Sequence, residues 1–290
     1  MRTTLLLSAA ALLVLTLPGV PAPGARAAPR TVAAPAGRDF LAYDPDHGTA
    51  VEAIGDLDAA TRVAVLVPGV GTRLADFDRG LGGVSRRAPA VQARALYARM
   101  RGTDPAARVA VVAWLGYVPP SGLNLAAVRE DRARTGARAL VAFVRALLAR
   151  RPGAAVTLVG HSYGALVVGL AAPHLPQVHD LVVMGAPGMG ADRASALGRA
   201  RVYSALARLD WMRRVPQVRL LGFGHGRRPS SPGFGATPLP TAGVAGHDYY
   251  LVPGSATLAA AADVVLGQPP DRVVTGTAHP SAGITAASKG

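Results

Sequence analysis

Short apolar runs alternate along the chain with longer stretches of helical periodicity. Four of these runs are apolar at almost every position and are bounded by Gly or Pro; they occupy residues 62–67, 108–115, 155–159 and 181–184. Strands that are buried on both faces of a parallel sheet have this pattern. The pattern therefore predicts four buried parallel strands.

Longer segments between and after these runs predict helices. Residues 89–101 and 123–151 separate successive runs, and apolar side chains in the second segment recur at three-to-four spacing, with its arginines largely outside that stripe. A helix over residues 165–172 follows the third run, and one over residues 254–266 closes the fold. Alternation of strands and helices predicts an open, mostly parallel α/β sheet with helices on both faces.

The two ends of the chain differ from its middle. Residues 1–27 begin with Met1-Arg2, continue with an apolar run shorter than the roughly 20 residues of a membrane span, and end at a small-x-small site. These features predict a cleaved signal peptide and a secreted or cell-envelope location. Residues 28–38 predict an Ala/Pro-rich linker and residues 267–290 a disordered tail, which leaves residues 39–266 as the folded domain.

Composition narrows the possible chemistry. The absence of cysteine excludes disulfides, thiolate metal sites and cysteine nucleophiles. The net charge is +14, but Lys289 is the only lysine, and the arginine pairs are scattered without interleaved aromatics. We therefore expect solvated arginine faces and no nucleic-acid partner, while a weak association with an anionic envelope stays compatible with the charge. No metal or phosphate-binding motif is present, so neither a metal nor a cofactor is expected.

One pentapeptide suggests a reaction. Gly160-His161-Ser162-Tyr163-Gly164 is a G-x-S-x-G motif that follows a predicted strand and opens a predicted helix. That strand–turn–helix context is typical of a nucleophile elbow, in which a sharp turn presents a serine hydroxyl. Ser162 is therefore the predicted nucleophile.

With this elbow, the chain resembles the α/β-hydrolases, and among them a poorly characterised actinobacterial group. The resemblance covers roughly residues 40–266 and implies the α/β-hydrolase fold, without implying a substrate. Its matching segments are Ile54-Gly55-Asp56, Val65-Leu66-Val67-Pro68-Gly69, the elbow, Met184-Gly185-Ala186-Pro187-Gly188 and Gly246-His247-Asp248-Tyr249.

The resemblance also implies a Ser, Asp or Glu, His order along the chain. His247, just before the closing helix, has the position of the base, and His225 is the alternative. Asp210 has the position of the acid because it follows the apolar run at residues 202–206, and Asp192 is the alternative. The developing oxyanion needs two backbone donors, for which we expect the amides of Tyr163 and Val70.

The resulting hypothesis is a secreted serine hydrolase that cleaves a small-molecule or lipid-like carboxylic ester through an acyl-enzyme. Trp114 and Tyr117 are the candidates for lining its acyl pocket. An acyltransferase or an amidase would use the same triad, and a non-catalytic, arginine-rich binding protein on a hydrolase fold is the alternative from another class. The sequence leaves the natural substrate and the oligomeric state open.

Overall fold

A computed structural model describes residues 34–220 and 223–270. The predicted signal peptide, linker residues 28–33 and tail residues 271–290 lie outside the described residues. Within the described ranges, no helix is both long enough and apolar enough to cross a membrane.

The described chain forms ten strands. Antiparallel pairing joins β1 to β2 and β2 to β4, whereas the remaining strands of the main sheet are parallel, and β8 and β9 form a separate antiparallel pair. The main sheet has eight strands in the order β1-β2-β4-β3-β5-β6-β7-β10. In chain order the strands are β1 (Asp39–Asp44), β2 (Thr49–Ile54), β3 (Arg62–Val67), β4 (Val109–Leu115), β5 (Ala155–His161), β6 (Asp180–Met184), β7 (Arg201–Ala205), β8 (Arg219–Leu220), β9 (Phe223–Gly224) and β10 (Thr237–Pro238).

Helices cover both faces of the sheet. They are α1 (Pro89–Thr103), α2 (Leu125–Val128), α3 (Asp131–Arg150), α4 (Tyr163–Ala171) and α5 (Ala256–Val265). Alternate residues of β4 enter different cores: Val112 and Trp114 pack with α3 and α4, and Val111 and Ala113 pack with α1 and α5. Burial on both faces explains why the central strands are continuously apolar. The predicted α/β-hydrolase fold class is confirmed.

The predicted helix over residues 123–151 is interrupted. α2 ends at Val128 and α3 begins at Asp131, and between them the carbonyl of Arg129 accepts a hydrogen bond of 2.9 Å from the Tyr163 hydroxyl. Glu130 is buried and forms an ion pair with Arg219 at 2.7 Å. Because both partners come from distant parts of the chain, helical periodicity alone does not reveal this break.

Candidate active site

The elbow turns sharply at Ser162, between β5 and α4. Ser162 has φ 56° and ψ −126°, and it is the only non-glycine residue in the described chain with a positive φ. A Cβ at Gly160 would lie 2.7 Å from the Ala165 Cα, and one at Gly164 would overlap the carbonyl oxygen of Val67. The two glycines therefore let β5, α4 and β3 approach closely enough to hold the serine in this strained turn.

The structure brings Ser162, His247 and Asp210 into one hydrogen-bonded row. The Oγ of Ser162 lies 2.9 Å from His247 Nε2. The other ring nitrogen, Nδ1, lies 2.9 Å and 3.0 Å from the two carboxylate oxygens of Asp210. With Nδ1–H donating to the carboxylate, Nε2 is left as the acceptor for the serine hydroxyl. We call this arrangement the Ser–His–Asp row.

Asp210 is buried but fully hydrogen-bonded. Besides His247, its Oδ1 accepts a bond of 2.8 Å from the Met212 amide, and its Oδ2 accepts one of 2.5 Å from the Tyr250 hydroxyl. Burial raises the pKa of Asp210, but the hydrogen bond and charge of His247, with the bonds from Tyr250 and Met212, outweigh it and leave the pKa below 3.8. Asp210 is therefore held as a carboxylate.

Tyr250 was not singled out by sequence reasoning. Its hydroxyl accepts from the Ala207 amide at 3.0 Å while it donates to Asp210. Burial, followed by the bond to Asp210, raises the pKa of Tyr250 well above its ordinary value, so the hydroxyl stays protonated and can donate. An aromatic residue three positions after the predicted base was the available signal, but only the fold shows where its hydroxyl points.

Neighbouring residues also fix the loop that carries His247. The ring Nε2 of His161 lies 2.8 Å from the carbonyl oxygen of His247, to which it donates, and Asp248 accepts from Arg87 at 2.6 Å. Burial, and then the nearby His247, lower the pKa of His161 to about 4. The imidazole of His161 is thus neutral near pH 7. The Trp211 ring covers His247 with its centroid 4.7 Å away.

The alternative acid and base lie elsewhere. Asp192 is exposed and accepts from the Arg227 amide at 3.1 Å, whereas His225 is buried with Nε2 bonded to the Ala127 carbonyl at 2.8 Å. Neither joins the Ser–His–Asp row. Across residues 34–220 and 223–270, His, Asp and Glu side chains form no group of three that could hold a metal.

The loop after β3 borders Ser162 and leaves few amides to donate to an oxyanion. Pro68 has no N–H, and the Gly71 amide donates to the Pro120 carbonyl at 2.7 Å. In the described part of the chain, the amides of Val70 and Tyr163 have no hydrogen-bond acceptor. The predicted donors therefore lie beside Ser162 and are unpaired.

Two cavities meet at Ser162. One is mainly apolar, with a volume of about 430 Å³, and the other, of about 310 Å³, contains more charged and polar groups. Val70, Leu123, Ser162 and Trp211 line both of them. The apolar cavity is also lined by Ala127, Val128, Tyr163, Pro187, Met212, Val215, Pro216, Val218 and His225, and the polar cavity by Thr72, Arg87, Gln92, His161, His247 and Asp248.

The prediction that Trp114 and Tyr117 line the acyl pocket is wrong. Trp114 is 1% exposed and stacks on Tyr117 with ring centroids 5.9 Å apart, within the core beneath α3. The Tyr117 hydroxyl donates to the Pro68 carbonyl at 2.8 Å, so it supports the loop after β3 from behind. Neither residue lines a cavity at Ser162, because both pack in the buried core on the α3 and α4 side of the sheet.

Two solved structures resemble the chain at low sequence identity. A serine hydrolase without lid from Xanthomonas campestris is 18% identical with a TM-score of 0.41, over 80% of this chain and 95% of that one. The thioesterase domain from the curacin biosynthetic pathway is 12% identical with a TM-score of 0.43, over 79% of this chain and 98% of that one.

Sequence relatives occur in mycobacteria. An uncharacterized protein of Mycobacterium tuberculosis is 36% identical over 180 residues, which are 60% of this chain and 66% of the relative. A second uncharacterized protein of the same organism is 30% identical over 271 residues, which are 79% of this chain and 39% of the relative. The matches thus span less than two thirds of either relative. A sequence model described as alpha/beta hydrolase matches residues 44–220, more than half of the chain, and the chain therefore belongs to the alpha/beta hydrolase family.

Proposed function

We propose that the protein is a serine hydrolase that cleaves carboxylic esters. Ser162 is the nucleophile, His247 the general base and then the general acid, and Asp210 the residue that orients His247. The continuous Ser–His–Asp row, with the 2.9 Å bond from His247 to Ser162, is the observation that carries this proposal.

The first half-reaction acylates the enzyme. Ser162 Oγ attacks the ester carbonyl carbon while His247 Nε2 takes the hydroxyl proton. Asp210 stabilises the resulting imidazolium through the Nδ1–H bond. The amides of Tyr163 and Val70 donate to the oxyanion of the tetrahedral intermediate. As the carbon–oxygen bond to the alcohol breaks, the alcohol leaves with the proton from His247.

The second half-reaction releases the acid. His247 takes a proton from a water molecule, which attacks the acyl carbon of the acyl-enzyme. The second tetrahedral intermediate collapses, Ser162 departs as the leaving group, and it recovers its proton from His247. Over the whole cycle one ester and one water give one alcohol and one carboxylic acid, and the enzyme returns to its starting state.

The two cavities suggest how an ester would bind. The apolar cavity would hold an apolar acyl chain, since Val128, Met212 and Val218 offer it an apolar wall. The polar cavity would hold the alcohol portion beside Arg87 and Asp248. Esters with an apolar acyl chain and a polar alcohol are therefore the proposed substrate class.

We also propose that the protein is secreted. Support comes from residues 1–27, whose positive start, apolar run and Ala25-Arg26-Ala27 ending are typical of a signal peptide. Amino-terminal sequencing of protein recovered from the culture medium should begin at Ala28. Retention of all of the protein inside the cell would contradict secretion and leave the proposed chemistry untouched.

A chain-length series of nitrophenyl esters tests the activity. Replacing Ser162 by Ala should lower kcat by about 10⁴–10⁶-fold for every ester, because no other group replaces the nucleophile. Ser204→Ala is the matched control: Ser204 is also a buried serine, but it lies in β7 away from both cavities. A folded Ser162→Ala variant with unchanged turnover would overturn the proposal.

A further inference from the structure

The exposed large apolar side chains are gathered in one part of the molecule. Nine such residues are exposed in the described chain, and all fall within residues 118–128 or 209–223. Both segments supply walls of the apolar cavity. We call these nine residues the apolar rim: Val118, Leu123, Leu125, Val128, Leu209, Trp211, Val218, Leu220 and Phe223.

The rim borders the opening above the reactive groups. Leu123, Val128, Trp211 and Val218 line the apolar cavity itself, and the Trp211 ring covers His247. The two segments come together at one end, because Phe223 pairs in an isolated antiparallel bridge with Arg129, the residue directly after the first segment. Single exposed apolar residues are ordinary, but exposed apolar residues on two segments that both line one cavity mouth indicate a surface that binds something apolar.

Positive charge flanks the rim. Residues 208–228 contain six arginines and a single acidic residue, Asp210, which is buried in the Ser–His–Asp row. Arg208 and Arg214 are exposed, and neither forms an ion pair with a carboxylate of the described residues. An apolar surface edged by unneutralised arginines and carrying an exposed tryptophan is complementary to a lipid surface with anionic headgroups.

We propose that the apolar rim docks the protein onto an anionic lipid surface, with the mouth of the apolar cavity facing the lipid. The rim side chains enter the boundary of the lipid layer and the flanking arginines contact headgroup phosphates. Docking itself requires no catalysis. The consequence that an ester enters the cavity directly from the lipid layer rests on the proposed function.

Tryptophan emission reports docking at the rim itself. The chain has two tryptophans, and Trp114 is buried in the core, so a lipid-induced change must come from Trp211, which is 37% exposed. With phosphatidylglycerol vesicles, we expect the full-length protein to sediment with the lipid and its emission to shift to the blue. Phosphatidylcholine vesicles should bind more weakly. Vesicle binding through residues 1–27 alone would leave the Trp211 emission unchanged and would overturn the proposal.

Paired variants separate the apolar and charged contributions. Leu125→Ser with Leu220→Ser should weaken phosphatidylglycerol binding by about tenfold. Arg208→Gln with Arg214→Gln should weaken it by about 20-fold, and high salt should remove that difference. The matched control, Arg101→Gln with Arg145→Gln, removes two exposed arginines of α1 and α3 that form no ion pair in the described structure and lie outside the rim segments, and it should change binding by less than either rim pair.

The outcomes for docking and for catalysis are independent. Both rim pairs should hydrolyse a short, water-soluble ester at the wild-type rate, whereas Ser162→Ala should bind vesicles normally. Equal binding by wild type and both rim pairs would overturn the proposal. A second result would also overturn it: the wild-type protein does not bind vesicles but self-associates with increasing concentration, and both rim pairs abolish that self-association. A second copy of the chain would then be the occupant of the rim.

Discussion

Three consecutive residues after β7 show how differently the two parts of this site are built. Leu209 is 64% exposed, Asp210 is 2% exposed and Trp211 is 37% exposed, so the charged residue is inside and its apolar neighbours are outside. Asp210 belongs to the Ser–His–Asp row, and the flanking residues belong to the apolar rim. The usual relation between polarity and burial is thus reversed within one turn of chain.

The Ser–His–Asp row and the apolar rim differ in how the cost of burying a charge or exposing an apolar side chain is compensated. Burying a carboxylate is costly, but hydrogen bonds from His247, Tyr250 and the Met212 amide satisfy Asp210 within the protein. Leu209 has no comparable partner, since its side chain projects into solvent. We infer that lipid covers the rim in use, so that a single short segment serves both the chemistry and the docking.

Separate substitutions of Asp210 and Leu209 should affect different properties, Asp210 catalysis and Leu209 lipid binding. The loss of kcat at Asp210 is the largest effect we expect. Asp210→Asn should lower kcat by about 10³–10⁴-fold, because a neutral amide neither fixes the His247 tautomer nor stabilises its cation. Leu209→Ser should keep turnover of a soluble ester and weaken vesicle binding by about threefold. Initial rates and vesicle sedimentation measure the two effects.

Asp192→Asn is the matched control for Asp210→Asn, because Asp192 is the other candidate acid and lies outside the row. It should hydrolyse esters within twofold of the wild-type rate. A loss of activity in Asp192→Asn as large as that in Asp210→Asn would contradict the assigned row.

A methyl group at position 69 should disturb the Ser–His–Asp row, because it would press the loop after β3 against Ser162. The Cβ of Gly69→Ala would lie 2.7 Å from the Ser162 Cβ, so either the loop after β3 or the nucleophile must move. We expect kcat to fall by about 100-fold, since displacements near 1 Å have effects of that size. Gly153→Ala, at a loop position with open space around it and outside both cavities, is the control for a loop glycine. Wild-type kinetics in Gly69→Ala would show that this close approach is unimportant.

Removing one hydroxyl should loosen the support of Asp210. Tyr250→Phe deletes the donor to Oδ2, so the pKa of Asp210 should rise, kcat should fall by about tenfold, and unfolding at pH 7 should become easier by about 2 kcal/mol. Because the wild-type pKa is below 3.8, its stabilising contribution is present above pH 3.8 and is lost as pH falls through the lowered pKa. The difference between the two proteins should therefore shrink in acid.

Urea denaturation at several pH values measures this difference. Tyr249→Phe is a suitable control, because the neighbouring hydroxyl makes no hydrogen bond in the described structure. If Tyr250→Phe matched wild type in kcat and in stability at pH 7, Tyr250 would be a packing residue only.

The smallest predicted effect concerns the support of the His247 loop. The pKa of His161 is lowered from 6.5 to about 4, so below pH 6.5 the unfolded chain takes up a proton that the folded chain does not. The free energy of unfolding should thus decline by about 2–3 kcal/mol between pH 6.5 and pH 4. His161→Gln keeps a donor for the His247 carbonyl without titrating there, and should flatten the decline. His179→Gln, at an exposed histidine, is the control and should keep the decline in the free energy of unfolding. If His161→Gln showed the same decline as the wild type, His161 would be excluded as its source.

The central strands could be predicted from sequence because burial on both faces leaves a local trace. Residues 62–67 and the run before the elbow are apolar throughout, and both form strands of the parallel sheet. The edge strand β1 and its neighbour β2 lack that trace, since β1 is half-exposed and Glu52 lies within β2 as an ion-pair partner of Arg38. The pairing of β2 with β4 and the break at Glu130 depend on partners that are distant in sequence.

The reactive positions follow from order and context, whereas the binding surface does not. Ser162, Asp210 and His247 were predicted from the elbow and from the order that the resemblance implies, and the structure brings them together. Trp114 was misassigned because an aromatic residue in a strand looks the same whether it faces a core or a cavity. Trp211 lines the apolar cavity from a four-residue 3-10 helix and Val218 from a loop, and both are too short or irregular for hydrophobic periodicity to make a prediction.

Covalent labelling with a fluorophosphonate tests the role of Ser162 most directly. The probe forms an O–P bond with an activated serine and expels fluoride, so peptide mass spectrometry of the labelled protein identifies the residue. We predict one adduct at Ser162, none there in Ser162→Ala, and much slower labelling in His247→Ala. A folded wild-type protein that resists the probe, or equal labelling of Ser162→Ala at another residue, would contradict the proposed serine hydrolase.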